Sequence, residues 1–300
     1  MWFKNLVLYR IQTWNINSDL LEERLARLAL QPCSGLDMQS RGWVAPKTED
    51  KALVHRFGQQ MLISLGIEKK LLPATVINQF TKERVTEIEE QQGFKPGRKQ
   101  TKEIKEAVTD ELLPRAFVIR RRTNVWIDPV GGWMVIDAAN VGKADEVIEM
   151  LHKSADGIAF SPFNTLMSPV AAMTGWLSGN SLPDKFTIDQ DCELRSRGDS
   201  GGTVRYVRHS LDEDEVRKHI KSGKEVTRLG LTWADRISFV LHENLQLKRI
   251  VPLDLIQDLA ANNEQDDSFD TDFVIMSGEL GKMLPAVMEM LGGEATAKTS

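Results

Sequence analysis

The sequence predicts an α+β protein in which antiparallel sheets are packed against helices. Three observations favour this class. Short apolar stretches of strand-like composition occur in neighbouring pairs, as the arms of hairpins do. Amphipathic helices lie between these pairs, and the two kinds of element do not alternate as a parallel βαβ series would. A chain of 300 residues with 41% hydrophobic and 27% charged residues can also bury a sizeable core.

The chain begins with a predicted strand followed by a helix. Residues 2–11 mix aromatic and branched side chains, which is typical of a strand. Residues 18–30 carry leucines at helical spacing, with Ser18 or Asp19 as the expected N-cap. After a polar, turn-rich stretch, a second strand is predicted at residues 59–68.

Two charged helices follow between Pro73 and Pro114, joined by the Gly/Pro turn at residues 93–97. Each helix has only a narrow apolar stripe. This pattern predicts a helical hairpin that projects from the body of the protein as a finger. A coiled-coil arm used for contacts between subunits is an equally open alternative.

The remaining elements are predicted from alternation and helical periodicity. Val125 and Ile127 are expected to face Met134 and Ile136 across a hairpin turn. Further strands are predicted at 184–194, 203–209, 225–233, 236–243 and 246–251, and helices at 143–154, 212–223, 253–261 and 280–291.

These elements divide the chain into three segments. Residues 1–72 are expected to form an N-terminal α+β segment, residues 73–114 the hairpin, and residues 115–300 a C-terminal α+β segment with an acidic end.

The net charge of -5 conceals a strong asymmetry along the chain. Residues 251–300 contain ten acidic side chains against two lysines, whereas residues 95–122 contain nine basic side chains against four acidic ones. A protein that is acidic overall can therefore present one strongly positive surface to a polyanion.

Arginines are crowded around one phenylalanine in the stretch "LLPRAFVIRRRTNVW" at residues 112–126. The guanidinium group suits phosphate oxygens, and an exposed aromatic ring can stack on bases. The alternative is that Phe117 is a core residue and the arginines form a solvated strand face; a membrane anchor is disfavoured because the apolar surface is small. The candidate DNA-contacting residues are Arg115, Phe117, Arg120, Arg121 and Arg122 in this stretch, Lys95, Arg98 and Lys99 in the hairpin, and Arg205, Arg208 and His209 in a later strand.

No catalytic residue, metal site or cofactor is predicted. "GDSGG" at residues 198–202 matches the nucleophile loop of trypsin-like proteases, with Ser200 in the reactive position. That chemistry also needs a histidine and an acid, and neither His55 nor His152 lies in the context of that family. A Gly-rich turn is the favoured interpretation. No phosphate-binding loop and no His/Cys spacing for zinc is present.

The chain is expected to remain in the cytosol. No apolar run approaches the roughly 20 residues needed to span a bilayer, and the start lacks the features of a signal peptide. The two cysteines lie far apart and are expected to stay as thiols.

Several longer strings resemble a known family. "PCSGLDMQSRGWVAP", "LLPRAF", "VIDAANVGKADEVIEMLHKS", "GGTVRYVRHSLDEDEVRKHIKSGKEVTRLGLTW" and "FDTDFVIMSGELGKMLPAVMEMLGGE" occur in the order found in the recombination-associated RdgC proteins of proteobacteria. The resemblance covers nearly the whole chain.

This resemblance implies a non-enzymatic, nucleoid-associated protein that binds duplex DNA with little sequence preference and restrains the recombinase RecA. It implies horseshoe-shaped subunits that close into a ring-shaped homodimer around the DNA. Phe117, beside Arg115, matches the phenylalanine of the family's "PRAF" string. DNA-facing roles carry over to Arg208 and His209, where the family typically has a lysine and a glutamine. Relatives have "EDGG" at the "GDSGG" position, so Ser200 is interpreted as incidental.

Other interpretations stay open at this point. The protein could be a scaffold that inhibits the recombinase directly, with DNA contact incidental. The sequence also leaves open whether single-stranded DNA is bound as well as duplex DNA.

Overall fold

One antiparallel sheet with helices on both faces organises the structure, a computed structural model that describes residues 1–196, 201–209, 211, 213–256 and 268–295. Within these residues, twelve strands form a single continuous sheet, and every pairing in it is antiparallel. The α+β class is confirmed, and the predicted antiparallel sheets are one sheet.

The strands follow one another across the sheet in the order β2-β4-β5-β6-β1-β12-β11-β10-β8-β9, while β3 pairs with β4 and β7 pairs with β1. Their bounds are β1 (Asn5–Trp14), β2 (Gln39–Val44), β3 (Val54–Phe57), β4 (Gln60–Leu71), β5 (Phe117–Asp128), β6 (Trp133–Asp137), β7 (Ile158–Pro162), β8 (Phe186–Ser196), β9 (Thr203–Tyr206), β10 (Lys224–Trp233), β11 (Ile237–His242) and β12 (Leu247–Pro252).

The helices of the described chain are α1 (Ser18–Ala26), α2 (Ala74–Gln92), α3 (Arg98–Leu112), α4 (Val141–Ser154), α5 (Pro169–Ser178), α6 (Glu213–Lys221) and α7 (Ser268–Met290), with a 3-10 turn at Leu113–Arg115. None of these helices is both long and apolar enough to cross a membrane.

Two apolar cores lie on opposite faces of the sheet, because successive side chains of a strand point in opposite directions. Leu6 and Leu8 of β1 belong to the core that α5, α6 and α7 cover. Val7 and Tyr9 belong to the core that α1 and α4 cover. Among the described residues, β8 to β12 contribute side chains to the first core and none to the second. The second face of these five strands is therefore not covered by an apolar core.

The β5–β6 hairpin has the predicted register. Val125 pairs with Ile136, and Ile127 pairs with Met134. All four side chains are fully buried. The alternation of apolar residues on either side of a tight turn was sufficient to predict this register.

Helices α2 and α3 occupy the stretch in which two helices were predicted. Gly93 ends α2 in the left-handed conformation with φ 77°, and its N–H donates to the carbonyl of Glu89. Ile104 and Val108 are the buried residues of α3. The two helices pack against each other, and α3 also packs against the 3-10 turn.

Three local predictions were wrong or incomplete. The stretch predicted to be turn-rich contains β2, because Trp43 is buried and Gly42 lies against the backbone of Leu30. The N-cap of α1 is Asn17, one residue before the predicted positions, and its side chain accepts a hydrogen bond from the N–H of Leu20 at 2.8 Å. Strands β3 and β7 and helix α5 were not predicted.

The C-terminal helix is longer than the predicted 280–291, since α7 begins at Ser268. Most of the helix predicted at 253–261 lies outside the described residues. The sheet crosses the boundaries of the three expected segments, because β4 of the first segment pairs along its length with β5 of the third. The division into segments stays a prediction.

Candidate nucleic-acid interface

The three consecutive arginines of β5 alternate between the two faces of the sheet. Arg120 lies opposite Glu68 of β4, Arg121 opposite Ile67, and Arg122 opposite Gly66. Arg120 and Arg122 therefore share one face, and Arg121 points to the other.

Arg120 is held by a buried carboxylate. Its Nε lies 2.6 Å from Oε1 of Glu68, whose side chain is only 5% exposed. The second oxygen of Glu68 accepts the backbone N–H of Cys33 at 3.0 Å. The hydrogen bond from Cys33 lowers the pKa of Glu68 from its ordinary value, burial opposes this, and the hydrogen bond and charge of Arg120 lower it further. The charge of Arg120 is thus largely compensated within the protein.

The other basic side chains of this stretch keep their charge uncompensated. Arg122 donates to the carbonyl oxygen of Pro46 at 2.7 Å, which is a neutral acceptor. Arg121 and Arg115 are exposed, and their side chains make no hydrogen bond or ion pair with the described part of the protein. These two are the most available phosphate partners of the stretch.

Phe117 is 84% exposed at the start of β5, so the interpretation of this residue as core is wrong. Leu71 pairs with it across β4 and β5 and is 50% exposed. Val118 and Ile119 are exposed as well. We call these four residues the apolar tip. So many exposed large apolar side chains at the paired ends of β4 and β5 are typical of a contact surface.

The basic residues of the hairpin lie at its far end. Lys95, Arg98 and Lys99 are exposed and make no ion pair with the described residues, and Phe94 beside them is 64% exposed. Because α3 has 15 residues, its rise of about 1.5 Å per residue places this group about 22 Å from Arg115. The hairpin group and the β5 group are therefore separate.

The later basic group lies at the other side of the sheet. Seven strand-to-strand steps separate β5 from β9, or about 34 Å at about 4.8 Å per step. Arg205 of β9 is bound to Glu193 at 2.5 Å. The side chain of Arg208 has no ion pair with the described residues, whereas His209 lies near the ring of Tyr206, 6.1 Å between centroids. The predicted residues thus form three separate basic groups in one subunit.

Two buried acids that hold candidate DNA-contacting arginines were missed by sequence reasoning. Glu68 lies at the end of β4, where burial alternates from residue to residue, and Glu193 lies between the buried Cys192 and Leu194 of β8. The sequence alone gives no sign that either acid is enclosed. Each is enclosed because an arginine from an adjacent strand covers it. The one signal that could have indicated their burial is an acid that lies opposite an arginine on the neighbouring strand. This signal can be read only when the register of the two strands is known.

The serine of the "GDSGG" motif lies outside the described residues. Of the histidines considered as its partners, His152 stacks on Phe160 with ring centroids 5.0 Å apart, and His55 Nε2 lies 3.4 Å from Asp270 Oδ1. The described residues contain no group of three or more His, Cys, Asp or Glu side chains able to hold a metal ion.

Comparison with known proteins gives a consistent result. A family model described as "Putative exonuclease, RdgC" matches residues 1–294. The chain is 56% identical to the recombination-associated protein RdgC of Janthinobacterium sp. (strain Marseille) over 301 residues, covering 99% of this chain and 100% of the relative. It is 56% identical to the protein of the same name from Herminiimonas arsenicoxydans, over 99% of this chain and 100% of the relative. The Bordetella pertussis protein is 54% identical over 98% of this chain and 99% of its own length.

Proposed function

This chain belongs to the RdgC family, and on that premise we propose that it is a non-enzymatic protein that binds duplex DNA without sequence preference and modulates homologous recombination. The proposal places it in the cytoplasm on the nucleoid, where its DNA partner is found. Its relatives carry the name recombination-associated protein.

The observation that carries this proposal is a set of exposed, unpaired cations on a chain of net charge -5. Within the described residues, six of the candidate side chains make no side-chain hydrogen bond or ion pair: Lys95, Arg98, Lys99, Arg115, Arg121 and Arg208. Each cation that neutralises a phosphate releases condensed counterions, and this gain does not depend on base sequence. A protein with an acidic net charge and local cationic groups restricts DNA contact to those groups.

Affinity for two duplexes of equal length and unrelated sequence tests the absence of sequence preference. Fluorescence anisotropy at one salt concentration should give dissociation constants that agree within about threefold, since phosphate contacts carry no sequence information. A preference of a hundredfold or more for one duplex would contradict the proposal.

We propose that two chains form a ring-shaped homodimer and that the apolar tip contributes to their contact. Leu71 and Phe117 are exposed there without a core to cover them, and burying such side chains against a second copy is favourable by about 25 cal/mol per Å². The hairpin group and the β9 group lie about 22 Å and about 34 Å from the β5 group in one subunit, so the three groups cannot act as a single patch. Two closed subunits, with the α2–α3 hairpin as a projecting finger, would distribute them around an enclosed duplex.

Phe117→Ser tests the dimer contact. Gel filtration of the native chain should give the mass of a dimer, and the variant should shift toward the monomer at the same concentration. Phe94→Ser, which changes another exposed phenylalanine, at the hairpin turn, should remain dimeric. A native monomer, or an unchanged mass for the Phe117 variant, would argue against this contact.

We further propose that the protein restrains RecA by occupying DNA. Replacing Arg115 and Arg121 with alanine should reduce inhibition of RecA strand exchange in proportion to the loss of DNA affinity. If inhibition persists after DNA binding is abolished, the protein acts instead as a scaffold on the recombinase.

The description of the matching family model includes the word exonuclease, so the non-enzymatic part of the proposal needs its own test. An end-labelled duplex incubated with the purified chain and Mg²⁺ or Mn²⁺ should stay intact. Release of labelled nucleotides in proportion to protein concentration would contradict this part alone.

A further inference from the structure

A cavity of about 310 Å³ opens on the face of β8 to β12 that lacks an apolar core. One side of the cavity is formed by residues that lie opposite one another on four neighbouring strands. Arg205 of β9 pairs with Glu193 of β8, Glu193 with Arg228 of β10, and Arg228 with His242 of β11. Charged side chains therefore line the cavity in a fixed order, and the sheet holds their spacing.

The base of the cavity is the carboxylate of Glu193, whose side chain is 3% exposed. Arg205 donates to it at 2.5 and 3.0 Å, Thr227 at 3.0 Å and Arg195 at 3.3 Å, and Arg228 lies 3.4 Å away. Burial would raise the pKa of Glu193, but the hydrogen bonds from Arg205 and Thr227 and the nearby arginine charges lower it overall. The acid is ionised and shared among three arginines, so it cannot neutralise them all.

Lys248 of β12, the strand next to β11, adds a further cation to the lining. Its ammonium group makes no ion pair with the described residues, and burial and the charge of Arg228 both lower its pKa. His242 lies beside these cations. Its pKa is lowered to about 4, mainly by burial and then by the charges of Lys248 and Arg228. The histidine is neutral at pH 7, so its ring offers one N–H donor.

The charges of the cavity do not balance. Its charged lining residues are Arg205, Arg228, Lys248, Arg249, Asp191 and Glu193. Asp191 pairs with Arg249 at 2.9 Å. Four cations against two anions leave an excess of two positive charges at pH 7, and the excess is concentrated at Arg228 and Lys248. Like charges held together at a partly buried site are unfavourable unless an anion joins them.

We propose that this cavity binds a phosphomonoester dianion, with Arg228 and Lys248 contacting the phosphate oxygens. A charge of about -2 matches the excess, and the volume of about 310 Å³ is at the lower end of the range for ligand pockets. A small sugar phosphate or mononucleotide therefore suits the space. An internal phosphodiester of DNA carries a single charge and is substituted on both sides, so it fits less well.

This site adjoins the later basic group proposed to contact duplex DNA and shares Arg205 with it, but its ligand differs in charge and in its free end. The phosphomonoester could be a free nucleotide or the terminal phosphate of a DNA strand. Binding of a free nucleotide needs neither a dimer nor a duplex. A failure of the phosphomonoester proposal can therefore be distinguished from a failure of the proposed duplex binding.

Calorimetric titration of the full chain with 2′-deoxyadenosine 5′-monophosphate tests the site. The monoester should bind, and a dinucleoside monophosphate with one internal diester should bind at least about tenfold more weakly. Lys248→Gln should lower the affinity for the monoester by about tenfold or more, because the substitution removes a charged hydrogen-bond donor. Lys221→Gln is the matched control, since Lys221 is exposed on α6, which packs on the opposite face of the sheet.

Lys248→Gln is expected to fold, because Lys248 has no ion pair among the described residues to lose; an unchanged thermal midpoint checks this. Hexanucleotides with a 5′-phosphate or a 5′-hydroxyl distinguish the two sources. Tighter binding of the phosphorylated strand than of the free nucleotide supports a strand end, and tighter binding of the free nucleotide supports a metabolite. No binding of any monoester at millimolar concentration, equal binding of the diester, or an unaffected Lys248→Gln variant would overturn the proposal.

Discussion

Alanine substitution of two adjacent arginines of β5 should affect different properties, the stability of the fold at Arg120 and the affinity for DNA at Arg121. Arg120 covers the carboxylate of Glu68 at 2.6 Å, whereas Arg121 has no partner among the described residues. Arg120→Ala leaves Glu68 with only the N–H of Cys33, so we expect it to reduce stability. Arg121→Ala removes no hydrogen bond or ion pair within the protein, so we expect it to reduce DNA affinity alone.

The magnitude for Arg120→Ala follows from the exposure of the two partners. Breaking a fully buried pair costs about 3–5 kcal/mol, and an exposed pair contributes about 0–1 kcal/mol. Here the acid is 5% exposed and the arginine 76%. The solvated arginine weakens the pair, so we expect the free energy of unfolding to fall by about 1–2 kcal/mol. Because the pKa of Glu68 is lowered in the folded state, this contribution is present above the ordinary pKa of glutamate and is lost as the pH falls through the lowered value.

Arg121→Ala should leave the free energy of unfolding within about 0.5 kcal/mol of the native chain. Its effect should appear in DNA binding, where the slope of log K against log salt should become shallower by about 0.9 for each phosphate that the variant no longer neutralises. Affinities for unrelated duplexes should fall by the same factor, since the substitution removes no interaction with a base.

Urea unfolding followed by tryptophan fluorescence measures the first effect, and anisotropy with a labelled duplex across a salt series measures the second. At pH 3, the stability difference between Arg120→Ala and the native chain should be smaller than at pH 7. The distinction between the two arginines is wrong if Arg121→Ala destabilises the fold as much as Arg120→Ala, or if its salt slope is unchanged.

Three further predictions concern the fold. The pKa of His242 is lowered from 6.5 to about 4, so the stability it contributes is present above pH 6.5 and is lost as the pH falls toward 4. Between these two pH values, the free energy of unfolding, measured with urea, should fall by about 1–2 kcal/mol less for His242→Gln than for the native chain. Gly42→Ala should destabilise by about 2 kcal/mol or more, because a Cβ there overlaps the backbone of Leu30, whereas Gly278→Ala, at an exposed position inside α7 with open space around it, should be neutral or stabilising in thermal unfolding. Asn17→Ala removes the cap of α1 and should cost about 1 kcal/mol in the same assay; no loss would show that the cap hydrogen bond is not formed in solution.

The sequence was informative where local signals were sufficient. The register of Val125 with Ile136 follows from alternation on either side of a short turn. The ends of α2 and α3 follow from Pro73, Gly93 and Pro114, since proline and glycine interrupt helices. The opposite directions of Arg120 and Arg121 follow from the two-residue period of a strand.

What the sequence could not predict depends on contacts between distant residues. Strand β2 is defined by the burial of Trp43 and the close approach of Gly42 to Leu30, which neither propensity nor polarity indicates. The same limit applies to Glu193, an acid that looks exposed until arginines from β9 and β10 enclose it. The exposure of Phe117 was open as well, because a phenylalanine between arginines fits a core strand or a contact surface equally.

The salt dependence of duplex affinity shows whether unpaired cations of an acidic chain bind DNA through its phosphates, as we propose. Within the described residues, six candidate side chains lack a partner, and each phosphate neutralised contributes about -0.9 to the slope of log K against log salt. We expect a straight line with a slope of about -5 if the cations of one chain engage the duplex and about -11 if those of both chains do. A slope near zero, with affinity retained at high salt, would contradict the proposed mode of binding.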